Sequence, residues 1–361
     1  MLSLKNYFKK FKKPARGPSP VIFPGMFLAI AICLLLILAA GCSINPTPPT
    51  PDVTGSIKGN VFEPTSPPIT QSMMSVSGAL VSVSNTPNTA LTNASGYFQI
   101  DEIPVGEQTL TISKEGYVTL ILENIPIIEG EVTLLGEGDQ EPLILYPTAG
   151  KTQFDKAISY YNDQDYVNAI IEFEKLLNDF PYSIYADDAQ FNIGDCYYII
   201  SNYYQALIEY QKVIDNYPES DWVDDAQYSI SHIYFVSELY SAAISSFQKV
   251  VSNYPASEFA DDAQFYAGYC YTKLEYFVEA IIEFKKIAEN YPQGTWPDGR
   301  SVPAITQFYI GWSYEKLEDW INAIKAYQKV IDNYSDDTWS DGSLISENAH
   351  ARIDWINTYC F

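Results

Sequence analysis

The chain has 361 residues, enough for two or three domains, with 45 acidic and 21 basic side chains and a formal net charge of −24. Six of the basic residues lie between Lys5 and Arg16, and no acidic residue precedes Cys42, so the chain from Cys42 onward holds 15 basic against 45 acidic residues. That balance excludes a basic nucleic-acid footprint, and 29 tyrosines exclude a disordered acidic chain.

After the basic stretch comes an apolar run from Met26 to Ala40, about 15 residues, which suits a signal-peptide core better than a full membrane span. It ends in Leu38-Ala39-Ala40-Gly41-Cys42. Small residues before a cysteine resemble the bacterial lipobox, although Leu38 stands one residue earlier than that pattern commonly places it. The resemblance implies cleavage after Gly41 and a diacylglycerol on the Cys42 thiol. The alternative is an uncleaved single-pass anchor counted from Val21. Either way the basic flank stays inside and the rest is exported. Ser43 resembles the outer-membrane sorting pattern of diderm bacteria. The expected layout is a signal peptide over 1–41 and a proline-rich, semi-stiff tether over 42–53.

From 54 to 147 strand signals dominate. Gly55-x-Ile57-x-Gly59-x-Val61 and Ala79-x-Val81-x-Val83 alternate, as do shorter runs at Tyr97–Ile100, Thr109–Thr111 and Val118–Leu122. Turns at 93–96 and 104–106 separate them, residues 64–77 read as a loop, and 134–150 as a last strand with a Gly/Pro linker. The pattern Thr92-Asn93-Ala94-Ser95-Gly96-Tyr97-Phe98-x-Ile100, followed by Ile103, Gly106, Leu110, Ile112 and Gly116-Tyr117, resembles the carboxypeptidase regulatory-like (transthyretin-like) domain. The resemblance implies a small all-β sandwich acting as a spacer. A glycan- or surface-binding role is the alternative.

Beyond residue 148 the chain repeats. Pro181, Pro218, Pro255 and Pro292 are 37 residues apart, and Asp-Asp-Ala-Gln recurs at 187–190, 224–227 and 261–264. A fixed period in this range means stacked supersecondary units. Each unit reads as two helices, the first near 184–200 and the second near 203–216 in the second unit. Ser183, Ser220 and Ser257 sit where N-caps belong, and the aspartate pairs fall in first turns, where they oppose the positive helix end; a calcium site is the alternative for these pairs. Six residues are inserted around 293–303, and a final helix near 343–356 caps the stack.

Gly194, Tyr197, Ala206, Tyr210 and Pro218 have the spacing of the tetratricopeptide repeat, and Ser231 to Pro255 and Gly268 to Pro292 reproduce it. Together with the lipobox, the long inter-repeat turn is similar to the envelope lipoproteins of the outer-membrane assembly (BamD-like) and Tol-Pal coordinator (YbgF-like) groups. The fold expected is multidomain: the β-sandwich, then an all-α tetratricopeptide superhelix of five helix pairs and a cap over 148–358. Two positions vary between copies, as an exposed face does, and in tetratricopeptide proteins both line the concave groove. They nominate Asp195, Tyr198, His232, Phe235, Tyr269 and Trp312 as a partner-binding groove, suited to an extended peptide with Lys or Arg. The alternative puts some of them in the core.

The two histidines, His232 and His350, read as exposed side chains in unrelated units, and Cys196, Cys270 and Cys360 show no metal-ligand spacing. No catalytic residues, metal site or cofactor are expected. The functional expectation is a lipid-anchored envelope scaffold, in the outer membrane facing the periplasm in a diderm host. Its partners are envelope proteins or peptide segments, with no nucleic acid.

Overall fold

A computed structural model of the chain describes residues 53–64, 73–136, 141–296 and 298–360. The basic stretch, the apolar run, Cys42 and the tether lie outside these residues. The chain divides into a β unit, which takes in residues 177–186, and a helical unit of 153–176 and 187 onward.

In the β unit, strand β1 (Thr54–Pro64) is the organiser. Its inward positions, Gly55, Ile57, Gly59 and Val61, are buried, as the period-2 alternation requires. Antiparallel to β1 run β2 (Met73–Ser75) and β5 (Tyr97–Pro104), while β8 (Val132–Leu135) and β9 (Leu143–Ile144) run parallel to it. The second sheet has the order β4 (Thr89–Leu91), β3 (Leu80–Val83), β6 (Gly106–Ser113), β7 (Leu120–Ile127). The sheets share one core, in which Ile57, Phe98 and Ile103 meet Val81, Leu110 and Ile112. A Cβ on Gly59 would stand 2.6 Å from the Leu135 carbonyl oxygen, so β1 and β8 can approach only because residue 59 has none. Strand β2 lies inside the segment read as a loop. Three residues long and largely exposed, it forms only through pairing with the end of β1, a contact no local pattern announces.

The helical unit contains five pairs and a cap: α1 (Lys151–Asn162) with α2 (Tyr166–Asp179), α3 (Ala186–Ile199) with α4 (Tyr203–Asn216), α5 (Val223–Val236) with α6 (Tyr240–Asn253), α7 (Ala260–Lys273) with α8 (Phe277–Asn290), α9 (Val302–Lys316) with α10 (Trp320–Asn333), and α11 (Ile345–Tyr359). From α4 onward each helix packs on the next, and α9 also touches α7 and α11. The turn inside every pair is one motif. Gln164, Ser201, Glu238, Glu275 and Glu318 take positive φ. The following amide, for example that of Leu239, donates to the carbonyl of the repeated tyrosine, here Tyr234. This is a Schellman closure without its usual glycine.

Packing within pairs explains the repeated small residue. A Cβ at Gly194, Gly268 or Gly311 would stand 2.6–2.8 Å from the ring of Tyr210, Phe284 or Tyr327 on the partner helix. A glutamine at one position of every first helix reaches its partner: Gln190 Nε2 donates to Glu209 (2.6 Å), Gln264 to Glu283 (2.6 Å) and Gln307 to the Ala326 carbonyl (3.1 Å). In the third pair Ser246 replaces the glutamate and accepts from Gln227 (2.8 Å).

Packing between pairs uses an aromatic plug. Trp222 stacks on Phe191 (4.5 Å) and Phe259 on Tyr228 (4.7 Å). In the last two pairs the six extra residues form a small hairpin that supplies the plug. Trp296 meets Phe265 and Trp339 meets Phe308, at 5.2 and 5.1 Å. Thr-Trp-x-Asp-Gly occurs at both 295–299 and 338–342, so the insertion is itself duplicated 43 residues on. The aspartate pair does more than open a helix. Asp187 accepts from Ser220 Oγ (2.7 Å) and Asp188 from Trp222 Nε1 (2.6 Å), joining two pairs. The serines expected as N-caps instead close a turn one step earlier, as where Ser220 Oγ accepts from the Trp222 amide, and the helices start two residues later than that reading placed them.

Candidate functional site

On α3, α5, α7 and α9, residues three apart share a face. On α5 these are His232 and Phe235, on α7 Tyr266 and Tyr269, on α9 Tyr309 and Trp312, while α3 contributes Tyr198. All seven are half-buried. Their rings form one ladder. Tyr198 meets His232 (6.3 Å), Phe235 meets Tyr266 (5.1 Å), and Tyr269 meets Tyr309 (5.5 Å). Trp312 joins through Tyr309 (6.3 Å) and also meets Phe277 of α8 (5.7 Å). Tilted and edge-on contacts at these distances suit the ring quadrupoles and lock the rings against one another. The ladder is slanted: from α5 to α7 it shifts by three positions of the repeat toward the helix starts.

Five of the six nominated groove residues, Tyr198, His232, Phe235, Tyr269 and Trp312, therefore lie in one continuous array. Asp195 does not. It is buried and accepts from Tyr210 Oη at 2.6 Å, beneath the position its copies hold in the ladder. Burial pushes its carboxyl up to about 7, against the hydrogen bonds from Tyr210 and Tyr161. Glu315, in the companion series, is also buried, accepting from Tyr327 Oη (3.0 Å) and Arg352 Nε (2.9 Å). One rule covers both. The central aromatic of the second helix is Phe173, Tyr210, Phe247, Phe284 or Tyr327, and where it is tyrosine the opposite helix supplies an acid. A buried hydroxyl needs a partner.

His232 is not the exposed side chain its sequence suggests. Tyr198, Tyr228, Phe235 and Tyr266 surround it, and burial holds its imidazole down at about 4, so it is neutral at physiological pH. His350 is exposed. Cys196 and Cys270 are buried free thiols, the latter pushed up by burial to about 12. Lys273 Nζ lies 5.1 Å from the Tyr269 ring centre and Lys316 Nζ 5.3 Å from that of Trp312. The ladder thus carries its own cations, and the nominated acid faces inward. Tyr266 and Tyr309 were not nominated. Their series, Asp155, Asn192, Ser229, Tyr266 and Tyr309, varies as strongly as those that were, and that variation is the signal that marks them.

Comparison with known proteins agrees with this architecture. The carboxypeptidase regulatory-like domain model matches residues 56–135, a model described as outer membrane lipoprotein matches 148–266, and the tetratricopeptide repeat model matches 262–294 and 306–337. No curated protein matches the chain. Among solved structures, a tetratricopeptide repeat protein from Parabacteroides merdae is 14% identical (58% of this chain, 79% of that one, TM-score 0.42). MamA from Desulfovibrio magneticus is 15% identical (51% and 93%, TM-score 0.39), and YrrB, a tetratricopeptide protein with an unusual peptide-binding site, is 18% identical (55% and 90%, TM-score 0.40). The chain therefore joins a carboxypeptidase regulatory-like domain to a run of tetratricopeptide helix pairs, the first of which match the outer membrane lipoprotein model.

Proposed function

We propose that the chain is a lipid-anchored scaffold of the cell envelope that holds other envelope proteins against the aromatic ladder of its helical unit. The observation that carries this reading is the ladder itself: seven half-buried rings in line across four helices make a long surface that is apolar without being closed. The outer membrane lipoprotein match over 148–266 and the small residues before Cys42 support an anchor at Cys42, in the outer membrane facing the periplasm where the host has one. Replacing Cys42 by Ala is expected to move the protein from the membrane fraction to the soluble one, with the lipid mass lost in mass spectrometry. Tyr269→Ala with Trp312→Ala, in the full chain, is expected to abolish co-purification of envelope proteins while leaving the circular dichroism unchanged. Retained co-purification would sink the scaffold reading.

A second reading, glycan or surface binding by the β unit, has one observation in its favour. Ser56, Gln99 and Asp101 form a hydrogen-bonded polar row, with both Ser56 Oγ and Gln99 Nε2 donating to Asp101 Oδ1 at 2.8 Å. On this reading ligand capture survives the ladder changes and is lost on Asp101→Ala.

A further inference from the structure

We propose that the seam between the first and second helix pairs is a pH-sensitive joint, shut while the Asp195 carboxyl keeps its proton and opened when that carboxyl ionises. The proposal does not depend on the scaffold reading, because the joint opens whether or not a partner is bound.

The first observation is where Asp195 stands. At three successive seams the same two positions of the repeat meet, one at the end of a first helix and one a turn earlier in the next first helix. In the second seam they are Tyr198 and His232, whose Oη and Nδ1 are 3.5 Å apart, and in the third Phe235 and Tyr269, with ring centres 5.9 Å apart. In the first seam they are Tyr161 of α1 and Asp195 of α3, joined by a hydrogen bond that the phenol donates. Asp195 accepts a second from Tyr210 Oη of α4 at 2.6 Å. One carboxyl therefore ties together three helices drawn from two pairs. Of these three seams only the first places an acid at the junction, and His232 in the second is neutral at physiological pH.

The second observation is what surrounds it. Asp195 is 6% exposed, and Tyr210 and Cys196 beside it are fully buried, so water does not reach the carboxyl while the seam is shut. The titratable groups that face it are Tyr161 of α1, Tyr210 of α4, and Cys196 and Tyr198 of its own helix; Tyr166 of α2 lies near Cys196, and Tyr203 of α4 meets Tyr198. None of these is a cation. Glu315, the other buried acid of the groove series, has Arg352 Nε at 2.9 Å, whereas Asp195 has no cation among the described residues. The two phenol bonds favour the ionised form, but removal from water costs it more, and burial raises the carboxyl to about 7.

In an open seam the carboxyl meets water and titrates near 4. The closed seam then binds the proton more tightly than the open one, so opening becomes about tenfold easier for each pH unit between about 4 and about 7, and levels off above. Pairs in a stack lean on their neighbours, so α1 and α2 loosen while α5 to α10 stay shut. Opening uncovers Asp195 beside Tyr198, the first ring of the ladder, and turns that end of it acidic.

The test is hydrogen exchange of the full chain, in detergent, read by mass spectrometry from pH 5 to pH 8 and corrected for the intrinsic pH dependence of each amide. Protection over 151–179 is expected to fall about fifty- to a hundredfold across that range, and protection over 223–333 by less than about threefold. Asp195→Asn keeps an oxygen for both phenols and cannot ionise; it is expected to hold protection over 151–179 level. Tyr161→Phe keeps the ring and removes one hydroxyl; it is expected to lower protection over 151–179 about threefold to tenfold at pH 5 and to leave 223–333 alone. Level protection in the natural chain, a slope retained in Asp195→Asn, an equal fall over 223–333, or indifference to Tyr161→Phe would each overturn the proposal. If Asp195→Asn does not fold, the natural chain and Tyr161→Phe decide the matter by the same criteria.

Discussion

Asp195 holds a carboxyl that the fold prefers neutral. An unfolded aspartate titrates near 4, whereas burial raises Asp195 to about 7 in the native chain. The native state therefore keeps its proton to higher pH than the unfolded one. The stability from the neutral form is complete below about pH 4 and drains away as pH rises to about 7. Asparagine at this position keeps an oxygen for Tyr210 and carries no titrating group. Urea midpoints for the natural chain and Asp195→Asn are expected to diverge between pH 4 and 7, the variant gaining on the order of a few kcal/mol, and then to run parallel. A constant difference from pH 4 to 8 would show that Asp195 titrates normally. The same residue marks where sequence and structure parted. Variation between repeats identifies positions free of a common packing duty, and Tyr198, His232, Phe235, Tyr269 and Trp312 followed that logic into the ladder. Asp195 varies for a different reason: the ring opposite it, Tyr210, bears a hydroxyl that its copies in three of the other pairs lack. That covariation is written in the sequence, but reading it requires knowing which two helices face each other.

At the scale of elements, the helices were legible because each is announced twice, by its period and by its copies. The strands were less so. Strand β1 alternates from Thr54 to Phe62 and is plain, whereas β2 and β4 have three residues each and exist only by pairing with β1 and β3. The cap helix α11 is tied at its first turn, where Ser346 Oγ donates to the Ser335 carbonyl (2.9 Å), and to the preceding pair by one ion pair. Arg352 bonds Glu315, a residue 8% exposed, through both its Nε and an Nη. Removing the arginine leaves a buried carboxylate with only the Tyr327 hydroxyl. Arg352→Ala is expected to cost about 2 kcal/mol, less than the 3–5 typical of a fully enclosed pair because Arg352 itself is partly exposed. The loss should be local. Amide exchange over 345–359 is expected to accelerate while α5 and α7 keep their protection, since in a stacked array each pair leans only on its neighbours. Uniform acceleration across the helical unit would argue that the pairs unfold as one.

For the whole molecule, charge is the dominant imbalance, and the ion pairs of the helical unit do little to offset it. They are mostly single lysines at the surface, such as Lys212 on Glu209 (2.9 Å) and Lys286 on Glu283 (2.9 Å). Each lysine is about half exposed while its glutamate is buried, so the pairs are partly screened, and they neutralise only a few of the 45 acidic side chains. Self-repulsion among the excess carboxylates should therefore outweigh them. Raising the ionic strength from about 0.01 M to about 0.15 M shortens the screening length from about 30 Å to about 8 Å. The thermal midpoint is expected to rise over that range; a fall would mean that attraction between neighbours prevails over the net charge.

All six tryptophans, Trp222, Trp296, Trp312, Trp320, Trp339 and Trp355, belong to the helical stack, and none lies before its third pair. Indole emission is thus a built-in reporter for the C-terminal half: excitation near 295 nm leaves the β-sandwich dark. The two hairpin indoles occupy equivalent seats one repeat apart, so exchanging either for phenylalanine would assign a colour change in a melt to one floor of the stack, with no dye attached.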